Sequence, residues 1–145
     1  MNRRSLSAIV TAAALALGGL TLAAPPAQAV TNVVPDAKFQ ACLNYWLGQT
    51  WNAPITATQL GTLTGRVACA QKGISSFAGA EYLTNVTRLD LGQNGVTDIT
   101  PLAGLTKLTS LALTQNRIAD ITPLRGLTGL TVLGLTGNQI RDLTP

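Results

Sequence analysis

The sequence predicts an α/β repeat solenoid, a stack of short parallel strands with short helical returns that follows an N-terminal helical cap. The chain repeats with a period of 22 residues, because residues 105–126 placed over 83–104 are identical at 13 of 22 positions. Each unit contains a short Leu-x-Leu run that alternates as a strand does. An apolar stripe with helical spacing precedes the repeats. Since a unit of this size cannot bury its own apolar side chains, neighbouring units must share one core.

The repeat register divides residues 61–145 into four units. The first is degenerate, because Lys72 stands where the others have asparagine, although Val67, Cys69, Ile74 and Phe77 fall at core positions. The last continues the register but ends after 19 residues. The predicted units are 61–82, 83–104, 105–126 and 127–145.

Each unit is predicted to form a strand and then a turn that contains a buried asparagine. In the run Leu111-Ala112-Leu113 the leucines point inward. A buried amide side chain persists only when it is hydrogen-bonded. The asparagines therefore predict a structural ladder that bonds backbone groups within and between units: Asn94, Asn116 and Asn138.

The motif Asp-Ile-Thr-Pro-Leu predicts the helical return of each unit. Thr100 and Thr122 are predicted to cap a short helical turn, with proline at its first position. Gly104 and Gly126 are predicted to close it.

These residues resemble the leucine-rich repeat family in its bacterial internalin-like form, with the signature L-x-x-L-x-L-x-x-N-x-I-x-D-I-x-P-L. The signature is met almost three times between residues 83 and 145. The resemblance implies a concave surface of parallel strands that usually serves as the binding face, and a helical cap before the repeats. The matching positions are Val86/Leu108/Leu130, Leu89/Leu111/Leu133, Leu91/Leu113/Leu135, Asn94/Asn116/Asn138, Val96/Ile118/Ile140 and Ile99/Ile121/Leu143.

The first 29 residues are predicted to be a secretory signal peptide. Arg3 and Arg4 precede an uncharged apolar run, and Ala27-Gln28-Ala29 forms a small-x-small cleavage site. The alternative is an uncleaved membrane anchor, since the run is nearly long enough to span a bilayer. The twin arginines leave the export route open. We expect a secreted, extracellular product, free or associated with the cell surface, with no membrane span after cleavage.

Residues 30–60 are predicted to form the helical cap. Asp36 is a plausible N-cap and Gly48 a plausible stop, and Thr56 with Gln59 forms a capping box for a second short helix. The cap interpretation is favoured over a ligand groove because a repeat stack must cover its first unit. The apolar stripe consists of Phe39, Cys42, Leu43, Trp46 and Leu47.

The two cysteines, Cys42 and Cys69, are predicted to form a disulfide. Both fall at inward positions, and export permits oxidation. The alternative is two buried thiols that pack as small apolar residues. Two cysteines without histidine make a poor metal site, so no metal or other cofactor is expected.

Catalysis is not predicted. The chain contains no histidine, which excludes Ser-His and Cys-His nucleophiles. Asp98, Asp120 and Asp142 share one column and suggest a hydrolytic pair or a calcium site, but local capping of turns is the simpler interpretation.

Residues 30–145 carry eight basic and six acidic residues, a net charge of +2, and the basic residues are scattered. Nucleic acid is therefore not an expected partner.

The outward-facing strand positions are the candidate binding surface. The register predicts three rows across the strands, with Arg66 beside Arg88 and Asp90 near both, and none of the rows contains an aromatic residue. The expected function is non-catalytic binding to a protein or cell-surface partner. The alternative is a structural spacer, or an N-terminal fragment whose function lies downstream. The candidate residues are Arg66, Arg88, Asp90, Ser110, Thr114, Val132 and Thr136.

The last unit is predicted to lack a cover. Its leucines would form an unshielded layer, and an open strand edge favours association. We expect either further repeats and a closing domain, or self-association through this uncapped C-terminal coil.

Overall fold

The computed structural model describes residues 31–143. The predicted signal peptide, residues 1–29, lies outside the described residues, as do residues 144–145.

Two helices precede a parallel sheet in the described part of the chain. Helix α1 spans Ala37–Leu47 and helix α2 spans Ala57–Gly61. The strands are joined in the order β1-β2-β3-β4, and all neighbouring pairs are parallel, which confirms the predicted fold class. The strands are β1 (Gly65–Ala68), β2 (Val86–Asp90), β3 (Ser110–Ala112) and β4 (Val132–Gly134).

The parallel register places equivalent residues side by side, one repeat period apart. One row pairs Arg66 with Arg88 and Ser110, and the inward row pairs Leu89 with Leu111. Leu111 is completely buried, so the inward rows merge into a continuous core between the strands and their returns.

The caps of both helices agree with the sequence prediction. Asp36 accepts hydrogen bonds from the backbone N–H groups of Lys38 and Phe39, each at 3.0 Å. Gly48 ends α1 with a left-handed φ of 68°, a conformation that costs glycine least. Thr56 and Gln59 form a reciprocal capping box at α2.

Helix α1 covers the first coil. Phe39 is fully buried, and its ring lies edge-on to Phe77 with centroids 5.8 Å apart. The other carboxylate oxygen of Asp36 accepts from Ser75 N at 2.8 Å and Ser75 Oγ at 2.7 Å. The predicted disulfide between Cys42 and Cys69 is present. Most of the apolar stripe is thus buried against the first coil, as a cap requires.

Asparagine side chains tie each coil to its neighbour. Asn116 is 6% exposed, and its amide donates to the carbonyls of Leu91 and Leu113, each at 3.1 Å. Its Oδ1 accepts from Val96 N at 3.2 Å. The Asn116 side chain therefore satisfies backbone groups of two successive coils, which leaves few buried polar atoms without partners. Asn94 and Asn138 make equivalent bonds.

The return segments differ from the prediction in two ways. They are three-residue 3-10 helices, Thr100–Leu102 and Thr122–Leu124, and the threonines make no side-chain cap. The cap comes instead from the preceding aspartate, since Asp98 Oδ1 accepts from Thr100 N at 2.8 Å. The prediction that Gly104 closes the turn is also wrong, because Ala103 ends it in a right-handed conformation by donating to Thr100 at 3.1 Å. A 3-10 turn of this length needs no left-handed residue.

Left-handed residues occur instead immediately before the asparagine position of each coil. Gln71, Gln93 and Gln115 have φ values of 58°, 55° and 53°, which are unusual for non-glycine residues. The equivalent residue of the last coil is Gly137, with φ 76°. The turn geometry therefore repeats even where the residue type does not.

Candidate binding surface

The outward rows of the sheet bring the basic candidates together. Arg66 and Arg88 are register neighbours on β1 and β2, and both are exposed. One oxygen of Asp90 lies 3.9 Å from the Arg66 guanidinium, with the two side chains 65% and 34% exposed. An exposed ion pair at this distance contributes little free energy. The Arg66–Asp90 pair therefore leaves most of the positive charge of this row directed at solvent.

Two threonine candidates differ in their accessibility. A Cβ atom on Gly92 would lie 2.8 Å from Thr114 Oγ1, and one on Gly134 would lie 3.2 Å from Thr114 Cγ2. Thr114 thus fills the space above two glycines of neighbouring coils and is half-buried, whereas Thr136 is exposed. Of the two, only Thr136 is presented freely. Among the remaining candidates, Ser110 is half-buried and Val132 is 59% exposed.

The cap helix adds an aromatic residue that sequence reasoning did not place on this surface. A surface pocket of ≈ 550 Å³ lies between α1 and the first coil, and it opens beside the outward row that begins at Ala68. Tyr45 forms one side and is 77% exposed. We call this the cap pocket. Its lining residues are Lys38, Ala41, Cys42, Tyr45, Ala68 and Lys72.

A sequence signal for the cap pocket existed. Lys38, Ala41, Cys42 and Tyr45 follow the i, i+3, i+4, i+7 spacing of a single helix face. The predicted apolar stripe shares Cys42 with this face but runs along its buried side. Lys72 occupies the ladder position of the first coil, and its side chain is exposed beside the pocket.

The aspartate column is engaged in local hydrogen bonds. The side-chain and backbone hydrogen bonds from Thr100 lower the pKa of Asp98, and those from Thr122 lower the pKa of Asp120. A general acid at neutral pH needs a raised pKa, so these shifts run against a general-acid role for Asp98 and Asp120. Within residues 31–143, no group of three or more metal-ligating side chains comes together.

Two further sets of polar contacts lie at the start of the strands, and the first of them repeats with the coils. The hydroxyl group of Thr109 donates to Thr87 O at 3.1 Å, and that of Thr131 donates to Thr109 O at 2.9 Å. Each bond joins a threonine to its equivalent one coil earlier, so these residues form a second ladder at the start of the strands. Asn85 begins the N-glycosylation sequon Asn85-Val86-Thr87, and it donates its amide to Gly61 O at 2.7 Å. That bond joins the second unit to the end of helix α2, so a structural role accounts for Asn85.

None of the helices within residues 31–143 has the length and apolar character needed to cross a membrane.

Comparisons with known proteins agree with the repeat assignment. The family model for leucine-rich repeats in two copies matches residues 84–126. The comparison with curated proteins gave no match. The coils, the asparagine ladder and this match together show that the chain carries leucine-rich repeats, and their sequence and fold are similar to those of a bacterial internalin.

Solved structures with this fold include two from Listeria monocytogenes and one from Clostridium perfringens. An internalin (InlF) of Listeria monocytogenes is 33% identical, with a TM-score of 0.74 over 82% of this chain and 36% of that chain. InlJ of the same organism is 24% identical, with a TM-score of 0.56 over 76% of this chain and 28% of its own. The ZmpB fragment of Clostridium perfringens that holds the CBM51-2 and INT domains is 29% identical, with a TM-score of 0.51 over 63% of this chain and 19% of that chain. The present chain therefore matches only part of each of these structures, 36% of the InlF chain and a smaller share of the other two.

Proposed function

We propose that this protein is a secreted, non-catalytic module that binds a protein or cell-surface component on its concave strand face. The observation that carries the proposal is the outward row of Arg66, Arg88, Ser110 and Val132, which the register aligns across the whole sheet. Repeat solenoids commonly use such extended concave surfaces for binding.

The rigidity of the scaffold supports this use of the surface. Asparagine and threonine side chains bond each coil to the next, so the spacing of the outward row is fixed before a partner arrives. A surface that is already ordered loses less conformational entropy on binding. The proposed mechanism is surface complementarity, without covalent chemistry and without a cofactor.

Export rests on the predicted signal peptide and is supported by the disulfide, a bond typical of oxidising compartments. We propose that residues 1–29 are removed, that residues 30–60 form the cap, and that residues 61–145 form the repeats. Intact-mass analysis of the exported product tests this division: a chain that begins at Val30 is expected, and an uncleaved N-terminus contradicts it.

Site-specific photo-crosslinking tests the binding face. A photoreactive amino acid at Val132, on the outward row, is compared with one at Ala119, an exposed position outside the strands. We expect a crosslinked partner only from Val132, with a yield that falls when Arg88 is replaced by alanine. Equal crosslinking from both positions, or none from Val132, contradicts the concave-face proposal and leaves the spacer role as the better explanation.

Self-association through the last coil is a second candidate function, and the exposed apolar residues of that coil favour it. Leu133 is 43% exposed and Leu143 is 74% exposed, whereas their equivalents one coil earlier, Leu111 and Ile121, are 0% and 6% exposed. Sedimentation across a concentration series tests it. We expect dimer formation that weakens in Leu133→Gln, and a monomer at every concentration would contradict this proposal.

A further inference from the structure

We propose that the cap pocket holds an acidic segment of a partner protein, with one apolar side chain seated in the pocket and carboxylates on either side of it. This inference rests on the proposed binding function and deepens it. It moves the centre of recognition from the middle of the sheet to the junction of the cap and the first coil.

The shape of the pocket fits one inserted side chain. Its volume of ≈ 550 Å³ is open on one side, and its walls combine the methyl groups of Ala41 and Ala68 with the Tyr45 ring. Central interface anchors are usually aromatic or apolar side chains in pockets of this kind. The outward positions of the four described strands carry no aromatic residue.

Tyr45 is held in place although it is exposed. Its ring packs edge-on against Trp46, with centroids 5.8 Å apart and an interplanar angle of 86°. Trp46 in turn donates its indole N–H to Ala68 O at 3.2 Å, on the outer strand of the sheet. A tyrosine supplies a large contact area and has few torsions to immobilise on binding. The exposed ring is thus a preorganised contact for a partner.

The charge around the pocket selects the partner. Lys38 and Lys72 line it, and Arg66 and Arg88 continue the positive charge along the adjacent strands. Asp90 is the acidic residue on those strands, and it already lies beside Arg66. Lys38 donates to Gly73 O at 3.0 Å, which leaves further N–H donors on the same ammonium group. Carboxylates are the complementary groups for such a rim.

A protein segment fits these observations better than an anionic membrane or nucleic acid does. The pocket would bury one apolar side chain, and Lys38 and Lys72 lie at that single site. Membrane-surface binding instead uses a broad apolar face with many basic residues. Single-stranded nucleic acid needs successive aromatic platforms along a groove.

Selection from a library of short random peptides on the intact protein tests the proposal. We expect the enriched peptides to carry an apolar residue flanked by Asp or Glu. Affinities of synthetic versions are measured by fluorescence anisotropy. Tyr45→Ala and Lys72→Glu are each expected to weaken binding by about tenfold, the loss typical of an interface anchor. High salt should weaken binding as well.

A matched variant and two control measurements keep the test specific. Arg117→Glu makes the same change of charge at an exposed residue outside the pocket and should leave affinity within about twofold, since exposed charges away from an interface have small effects. Thermal melts should show that the variants are folded, because Tyr45 and Lys72 are both exposed. Vesicles of anionic phospholipid test the membrane alternative.

The possible outcomes separate this proposal from the wider one. Failure to enrich acidic peptides, or affinity that survives both pocket variants, overturns the cap pocket as the site. Binding that depends on Val132 and Arg88 but not on Tyr45 overturns the pocket while the concave-face proposal stands. Tyr45-dependent binding to vesicles without binding to peptides also overturns the assignment to a protein segment.

Discussion

The first and last coils have equivalent core positions, but within residues 31–143 only the first has another layer packed over it. In the first coil Val67 is 1% exposed and Cys69 is completely buried beneath the cap helix. Their counterparts in the last coil are Leu133, which is 43% exposed, and Leu135, which is half-buried. The residues of the last coil are the more apolar, yet they are the more exposed. The neighbouring layer, rather than the coil's own sequence, therefore determines burial in this fold.

Removal of the disulfide should have the largest effect on this comparison. Cys42 and Cys69 are 27 positions apart, and closing a loop of this length stabilises the folded state by about 3–4 kcal/mol in the chain-entropy model. We expect the double variant Cys42→Ala/Cys69→Ala to lose stability of this order in denaturant unfolding. Reduced wild-type protein provides the control. A loss below about 1 kcal/mol would mean that helix packing alone holds the cap.

Asparagine substitutions compare the middle and last coils directly. Asn116→Leu removes the partners of buried backbone groups and should cost about 1–3 kcal/mol. Asn138 makes equivalent bonds but is only half-buried, so water can replace some of them. We expect a smaller loss for Asn138→Leu, measured by thermal unfolding of both variants. Equal losses would show that the last coil is as well shielded as the middle one.

Acid should loosen the covered end selectively. Burial raises the pKa of Asp36, but hydrogen bonds from Phe39, Ser75 and Ser76 outweigh it and leave the pKa below its ordinary value of 3.8. A carboxylate with a depressed pKa stabilises the fold above its unfolded pKa, and that stability is lost as pH falls through the folded value.

We therefore expect the amide signals of Ser75 and Ser76 to be constant above about pH 5 and to shift only below the ordinary aspartate pKa. Asp36→Asn should lower stability by about 1–3 kcal/mol at neutral pH, because asparagine can still cap the helix but has no second oxygen to accept from Ser75 and Ser76. The difference between this variant and wild type should shrink in acid. A difference that persists at the lowest pH would exclude the carboxylate charge as its cause.

The smallest predicted effect concerns the left-handed position of each turn. Gln115 has φ 53° and Gly137 has φ 76° at the equivalent position. The left-handed conformation is unfavourable for a residue with a Cβ, but glycine costs more backbone entropy. We expect Gln115→Gly to stabilise the protein by about 0.5 kcal/mol, the balance of these two effects.

The reverse substitution, Gly137→Gln, should destabilise the protein, because its Cβ would lie 3.1 Å from Gln115 Cγ. Denaturant midpoints of the two variants should therefore move in opposite directions. A shift in the same direction would show that side-chain contacts, not backbone strain, control this position.

The periodic features of the structure could be predicted from the sequence. The strand register, the asparagine column and the helix caps follow from residue spacing, because each depends on local chemistry repeated at one period. The pairing of Cys42 with Cys69 followed from two inward positions in a chain that is predicted to be exported. The same reasoning was wrong about the returns, where Asp98 rather than Thr100 accepts the capping hydrogen bond.

The features that depend on how the cap sits against the stack could not be predicted in this way. Tyr45 shares a helix face with Lys38, Ala41 and Cys42, but this spacing does not indicate that the face borders the strands. The exposed Lys72 was recognised as a departure from the ladder, but not as part of the cap pocket. The positions of Tyr45 and Lys72 depend on the contact between helix α1 and the first coil. That contact occurs once, so the periodicity of the sequence cannot predict it.

The parallel register also determines how the protein should respond to a mechanical load. Each strand is bonded to strands one period away, so tension applied at residue 143 acts first on the contacts between β3 and β4. We expect the coils to detach in sequence from that end, each giving a similar increment of length. The disulfide would stop the extension at Cys69, since the bond keeps the segment between Cys42 and Cys69 closed. The pulled molecule would thus behave as an extensible tether anchored at its covered end.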